Sequence, residues 1–191
     1  MRITGGQVKG RLLASLKGLN IRPSSDRVKE AIFNLIGQDI TGAKVLDLFA
    51  GAGSLGIEAL SRGALWTLFI DNSQQSIKLI KKNLTLCGYE SSGFILKMDL
   101  TRGLPWRYPL MKKKFDLVFI DPPYRKKFIL PILKELSDRK FLISPSVVVA
   151  ETSRIDNLPA ELGKLELVKI RIYGETKINI YHYGDNRCME V

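Results

Sequence analysis

Histidine is all but missing from this sequence: 191 residues contain one, His182. That removes the residue most used for proton transfer near neutral pH and for holding zinc, so no metal site is expected. The single copy lies in the alternating segment Ile178-Asn179-Ile180-Tyr181-His182-Tyr183 and reads as a side chain on a sheet face. Cysteine is nearly as scarce. Cys87 ends an apolar helical stripe and Cys188 lies in a polar tail, so the two read as reduced thiols in a cytoplasmic protein rather than as a bridge. No apolar run exceeds strand length, and the first twenty residues lack the hydrophobic centre of a signal peptide, which argues against a membrane segment and for the cytoplasm. Acidic residues are short too, 19 against 30 Lys and Arg, for a net charge of +11.

What is present begins with Asp121-Pro122-Pro123-Tyr124, at the end of the run Phe115-Asp116-Leu117-Val118-Phe119-Ile120. Such a run makes a strand buried on both faces, and two prolines stop it because proline has no N–H for the ladder. The carboxylate then stands at a strand's carboxyl end, the edge at which open α/β sheets bind ligands. An amino group on an aromatic ring has two N–H donors and a π-face, which Asp121, the Pro122 carbonyl and the Tyr124 ring can meet together. By itself the tetrapeptide is equally a surface turn, since Asp-Pro commonly opens one.

A second motif alters that balance. Val45-Leu46-Asp47-Leu48-Phe49-Ala50-Gly51-Ala52-Gly53-Ser54-Leu55-Gly56 is an apolar strand, a glycine-rich turn and the start of a helix. Gly51 and Gly53 allow positive φ and a close backbone approach, and the helix from about Ser54 points its positive end at whatever binds. The letters satisfy G-x-G-x-x-G, and Asp71 follows the next strand where a ribose-binding acid belongs, so a dinucleotide-dependent oxidoreductase is a competing reading. Against it stand Asp47 inside the first strand and Asp99 at the end of the third. So many carboxylates repel a pyrophosphate but suit a ligand carrying an ammonium, a sulfonium, ribose hydroxyls and an adenine amino group.

Together with Met1-Arg2-Ile3-Thr4-Gly5-Gly6, Lys9-Gly10-Arg11, the segment Arg22-Pro23-Ser24-Ser25-Asp26-Arg27-Val28-Lys29-Glu30 and Tyr173-Gly174-Glu175-Thr176, these motifs resemble the bacterial 16S ribosomal RNA guanine-N2-methyltransferases. Those are class I S-adenosylmethionine-dependent methyltransferases. The resemblance covers nearly the whole chain; Ser24 stands where threonine is expected and keeps the hydroxyl. The catalytic tetrad also suits adenine-N6, cytosine-N4 and protein glutamine methyltransferases, so guanine rests on the flanking segments.

The resemblance implies methyl transfer by direct displacement, with S-adenosylmethionine as cofactor, S-adenosylhomocysteine as product and no metal. It implies Asp121, Pro122, Pro123 and Tyr124 as the catalytic set. For the cofactor it implies Phe49, Ala50, Gly51 and Gly53 in the loop, Asp47 near the methionine amino end, Asp71 and Asn72 at the ribose, and Asp99 and Leu100 at the adenine. The partner implied is 16S ribosomal RNA in a small ribosomal subunit or its assembly intermediate.

Charge placement agrees with a polyanionic partner. Residues 1–36 hold seven Lys and Arg against two acids, and residues 102–140 hold eleven against four. Arg2, Lys9, Arg11, Arg22 and Arg27 from the first cluster and Arg125, Lys126 and Lys127 from the second are the candidate RNA contacts, where counterion release adds affinity. Trp106 and Tyr108 lie between basic stretches and can either stack on an unpaired base or pack under the loop.

Alternation of strand and helix predicts a Rossmann-like α/β fold: a mostly parallel seven-stranded sheet with a C-terminal antiparallel hairpin. The predicted helices are 26–36, 54–61, 74–86 and about 127–137. The strands are 45–49, 67–70, 94–98, 115–120 and 147–150, then a hairpin of 165–173 and 177–183 around Gly174. Helix 26–36 presents Val28, Ala31, Ile32, Leu35 and Ile36 inward, with Ser25 as cap and Gly37 as stop. The chain reads as one domain, 1–191, with residues 1–24 a basic arm or hairpin appended to it.

Overall fold

Strand-length apolar runs bounded by glycine place most elements. The computed structural model describes residues 1–15, 24–123 and 128–184, and for Ser24 and Ser25 the backbone only. Arg22, Tyr124, Arg125, Lys126, Lys127 and Cys188, with the capping role of Ser25, therefore lie outside what is described. The chain divides into two compact units, Met1–Leu100 and Thr101–Val191.

In the first unit α1 (Ser24–Ile36) leads to β1 (Lys44–Leu48), α2 (Ser54–Ser61), β2 (Trp66–Asp71), α3 (Gln74–Cys87) and β3 (Gly93–Lys97). The strands are parallel and lie in the order β3-β2-β1, with Leu46 opposite Leu68 and Leu68 opposite Phe94. Ser73 caps α3 by accepting from the Ser76 amide, and Gly88 ends it at φ 76°. Gly37 stops α1 at φ 98°, as its sequence implies. The buried face of α1 is rotated from the expected stripe: Val28, Lys29, Ile32 and Phe33 are buried, whereas Ala31, Leu35 and Ile36 are half-buried. A lysine can occupy that face because a buried acid, Glu58, meets it.

The N-terminal arm is a hairpin-like turn sewn onto α2. Arg2 and Leu12 form an antiparallel bridge, and the Ile3 amide donates to the Arg11 carbonyl at 2.9 Å. The Gln7 amide donates to the Ser61 carbonyl at 2.7 Å, and Ser61 Oγ donates to the Gly5 carbonyl at 2.6 Å. Gly6 lies at φ 76° against the Ser61 carbonyl, where a Cβ would collide with backbone. Ile3 and Leu13 bury the arm's apolar side.

The second unit holds β4 (Phe115–Ile120), α4 (Ile129–Asp138), β5 (Leu142–Ser153), the two-residue β6 (Glu161–Leu162), β7 (Leu165–Tyr173) and β8 (Thr176–Tyr183). These strands are ordered β4-β5-β8-β7-β6, with β4 and β5 parallel and the other neighbours antiparallel. The C-terminal hairpin is thus present, and the described strands number eight because of the short β6. β5 begins five residues before the predicted 147: its register against β4 shifts between Phe115 and Leu117, and that irregularity absorbs Pro145. Pro131 sits in the first turn of α4, where a missing N–H costs nothing. His182 lies on β8 opposite Val147 and Glu166, half-buried, and desolvation lowers its pKa so that the neutral ring is favoured. No described helix is long and apolar enough to cross a membrane.

Candidate active site

In the first unit, β1 hands the chain to the glycine loop through Phe49, a non-glycine residue at φ 59°. Left-handed backbone at an aromatic residue is uncommon and marks a turn that the surroundings impose. Gly51 and Gly53 follow at φ 55° and 76°, and Gly53 N–H donates to the Ala50 carbonyl at 2.7 Å to close the turn. Gly53 is also the N-cap of α2 and supplies no side-chain cap; in the first turn the Gly56 amide is met instead by the Asp47 carboxylate. A Cβ at Gly51 would meet only the Phe49 carbonyl, 3.9 Å away, so the loop is open at that point.

Two of the expected acids build this loop. Asp47 is 2% exposed, and its Oδ2 accepts from the Gly56 amide at 2.9 Å. Asp71 is 9% exposed and uses both oxygens: Oδ2 accepts from the Gly51 amide at 2.9 Å and Oδ1 from the Ser73 amide at 2.8 Å. The acid at the end of β2 therefore fixes the glycine loop and the entry to α3 at once. Asn72 beside it is exposed, and Ala50 is buried, its amide continuing the ladder to the Ile70 carbonyl. Asp99 is exposed two residues after β3, and Leu100 is buried in the short 3-10 turn Leu100–Arg102.

Sequence reading missed Asn83, fully buried on α3. Its Nδ2 donates to the Ala52 carbonyl of the loop at 2.9 Å and to the Ala14 carbonyl at 3.1 Å, while its Oδ1 accepts from the Ala14 amide at 2.8 Å. One side chain thus ties the loop to the N-terminal arm. The available signal was a polar residue among the inward positions Ile80, Leu84 and Cys87.

Gly56, the third glycine of the motif, serves packing. A Cβ there would sit 2.7 Å from Thr67 Cγ2 and closer still to the Phe69 ring. Gly56→Ala is expected to cost about 1–3 kcal/mol through overpacking, read as a lower midpoint in denaturant unfolding; an unchanged midpoint would show that α2 can lift from β2 freely.

In the second unit Asp121 directly follows Ile120, the last residue of β4, with Pro122 buried and Pro123 exposed. Surrounding protein raises the Asp121 carboxyl to about 6 by desolvation. Although the residue is exposed, its acid holds its proton to a higher pH than an ordinary carboxylate does.

The candidate RNA contacts Arg2, Lys9, Arg11 and Arg27 are all exposed. Asp26 is structural: its Oδ1 accepts from the Arg2 amide at 3.2 Å and faces Lys29 Nζ at 3.7 Å. Among the described residues, no three of His, Cys, Asp and Glu converge as metal ligands would.

A parallel strand layer ending in an acid-lined glycine loop, followed by an antiparallel hairpin, is the Rossmann-like fold of methyltransferases. The solved structure of yhhF from Escherichia coli superposes with a TM-score of 0.79 at 28% identity, over 96% of this chain and 97% of that one. The methylase HI0767 from Haemophilus influenzae gives 0.77 at 28% identity, over 96% and 98%. The family model described as "Conserved hypothetical protein 95" matches residues 1–182, and the chain belongs to that family. It is 37% identical over 183 residues to YlbH of Bacillus subtilis (strain 168), covering 95% of this chain and 98% of the relative. It is 31% identical over 185 residues to Ribosomal RNA small subunit methyltransferase D of Escherichia coli (strain K12), covering 95% and 89%.

Proposed function

We propose that this protein transfers a methyl group from S-adenosylmethionine to the exocyclic N2 amino group of a guanine in small-subunit (16S) ribosomal RNA. The observation that carries the reading is Asp121 at the carboxyl end of β4, its acidity weakened by desolvation, in a chain matching an rRNA small subunit methyltransferase along 95% of its length. Family and structural matches span both units, which supports reading residues 1–191 as one catalytic domain. An rRNA substrate would place the activity in the cytoplasm.

The loop suits the cofactor: Gly51 and Gly53 admit close approach, and the carboxylates Asp47, Asp71 and Asp99 around it favour a cationic, donor-rich ligand. When bound, S-adenosylmethionine supplies an electrophilic methyl carbon on a sulfonium. The remaining difficulty lies with the base, whose amino lone pair is delocalised into the ring. Asp121 and the Pro122 carbonyl accept the two N–H bonds, favour the pyramidal nitrogen, and stabilise the positive charge that develops as the N–C bond forms. A carboxyl of raised pKa then takes the released proton more readily than an ordinary one would. Tyr124 holds the base by stacking once the nucleotide has been swung out of its helix.

Incubating the protein with labelled S-adenosylmethionine and unmodified small subunits or their RNA, then identifying the modified nucleoside by mass spectrometry, tests the reading. N2-methylguanosine is expected; another methylated base would keep fold and cofactor but replace the target. For the cofactor half, Asp71→Ala releases the Gly51 and Ser73 amides and should weaken S-adenosylmethionine binding by at least about tenfold, the free energy of one or two charged hydrogen bonds. Unaltered affinity in calorimetry would remove Asp71 from the site.

A further inference from the structure

Trp106 is 48% exposed on a loop that is otherwise firmly held. Leu104 on one side and Met111 on the other are buried, the Trp106 amide donates to the Leu104 carbonyl at 2.8 Å, and the Leu104 amide donates to Glu135 Oε2 at 3.1 Å. Two cations attend the ring: the Arg107 guanidinium lies 4.5 Å and the Arg139 guanidinium 5.8 Å from its centroid. The nearby acid is engaged, since Glu135 also faces Arg139 at 3.7 Å. Exposed Arg102, Lys112, Lys113, Lys114 and Lys140 extend the positive field.

The loop's position in the fold matters. Arg139 closes α4 and precedes Leu142, which pairs with Phe115, the first residue of β4. Trp106 therefore stands at the amino end of β4, and Asp121 stands past its carboxyl end, six strand residues or roughly 20 Å away. A rigidly displayed aromatic plane with two guanidiniums is complementary to a nucleobase and its phosphates, by stacking, cation–π attraction and counterion release.

We propose that Trp106, with Arg107 and Arg139, is a stacking platform for an unpaired nucleotide of the RNA substrate, distinct from the nucleotide that is methylated. This rests on the reading of the substrate as RNA. The platform makes the enzyme favour an RNA long enough to reach both points, about six nucleotides of one strand or more for a separation of about 20 Å.

The test compares Trp106→Ala, Trp106→Phe and the Arg107→Ala/Arg139→Ala pair with the unmutated protein on in vitro transcribed 16S ribosomal RNA. Trp106→Ala is expected to raise the RNA Kd and KM about fivefold or more, with kcat at saturating RNA and the S-adenosylmethionine Kd unchanged. Trp106→Phe, which keeps a ring, should recover most of that loss. The arginine pair should flatten the salt dependence of binding, which Trp106→Ala should not. An RNA Kd within twofold of the unmutated value in Trp106→Ala overturns the platform while leaving the enzyme reading intact. Failure of the unmutated protein to bind or methylate RNA would instead overturn that reading, and the platform with it.

Discussion

Asp121→Ala is expected to lower methyl transfer by at least about 10²-fold, with S-adenosylmethionine affinity nearly unchanged. The magnitude follows from losing a preorganised group aimed at charge that develops in the transition state. The division of labour with Asp71 is testable in one table of constants: loss of transfer without loss of cofactor affinity for Asp121, and the reverse emphasis for Asp71. Equal effects of the two substitutions on binding and turnover would sink it. Acidity adds a second signature. The ionised carboxylate is the form that accepts one N–H bond strongly and can take the released proton, and its pKa is raised to about 6 by desolvation, so activity should fall as pH drops through about 6 rather than through ~4. Asp121→Asn should abolish that limb.

The same shift has a sign for stability. A folded-state pKa above the unfolded value means that the folded chain binds the proton more tightly, so ionising Asp121 destabilises it as pH rises from about 4 to about 6. Asp121→Asn should therefore raise Tm relative to the unmutated protein above pH 6 and lose that advantage near pH 4. Because the residue is exposed, the gain is modest. No gain at any pH would mean that the carboxylate is well solvated.

Glu58→Ala should produce the largest loss of stability, about 3–5 kcal/mol, because it strands buried cations. Glu58 is fully buried on α2; Oε2 lies 3.3 Å from Lys29 Nζ and Oε1 accepts from Arg62 Nε at 2.9 Å, the two cations being 3% and 4% exposed. Thr4 donates to the same carboxylate from its amide and its hydroxyl, both at 2.8 Å. Lys29 Nζ donates onward to the Arg2 carbonyl, and the Arg62 guanidinium stacks 4.6 Å from the Phe33 ring centroid. One carboxylate thus joins the arm, α1 and α2. Its removal takes the nearest carboxylate from both buried cations, leaving Lys29 with Asp26 at 3.7 Å, and should lower Tm by roughly 6–20 °C in thermal unfolding. A loss under about 1 kcal/mol would show that water reaches Lys29 and Arg62 when the acid is gone. Replacing all three residues by apolar ones of similar size is expected to restore much of the stability, since no charge then remains to be solvated.

Legibility from sequence was best where a local pattern is self-sufficient. β4 and α2 were read to the residue, because a mostly apolar run closed by Asp-Pro-Pro and a glycine loop opening a helix each state their own ends. β5 was read short: Ser144-Pro145-Ser146 breaks the strand pattern, and only pairing with β4 around an irregular register carries it back to Leu142. The inner face of α1 was misjudged at Lys29 because period and hydropathy cannot foresee a partner acid 29 residues away. Asp71 was identified as a site residue, but its grip on Gly51 depends on β1 and β2 being neighbours. Phe49 was placed in the loop without its left-handed backbone, since no intrinsic preference of phenylalanine supplies it.

By itself, the sequence determined the order of elements, the glycine loop after β1, the acids distributed after successive strands, the excess of positive charge and the family. These are properties of adjacent residues, of periodicity and of composition. Tertiary structure alone decided what surrounds each carboxylate: Glu58 closes a buried ion cluster, Asp47 and Asp71 hold the loop, and Asp121, past the end of β4, has its pKa raised by desolvation. The physical reason is that an ionisable group takes its character from burial and from partners distant along the chain, and folding supplies both.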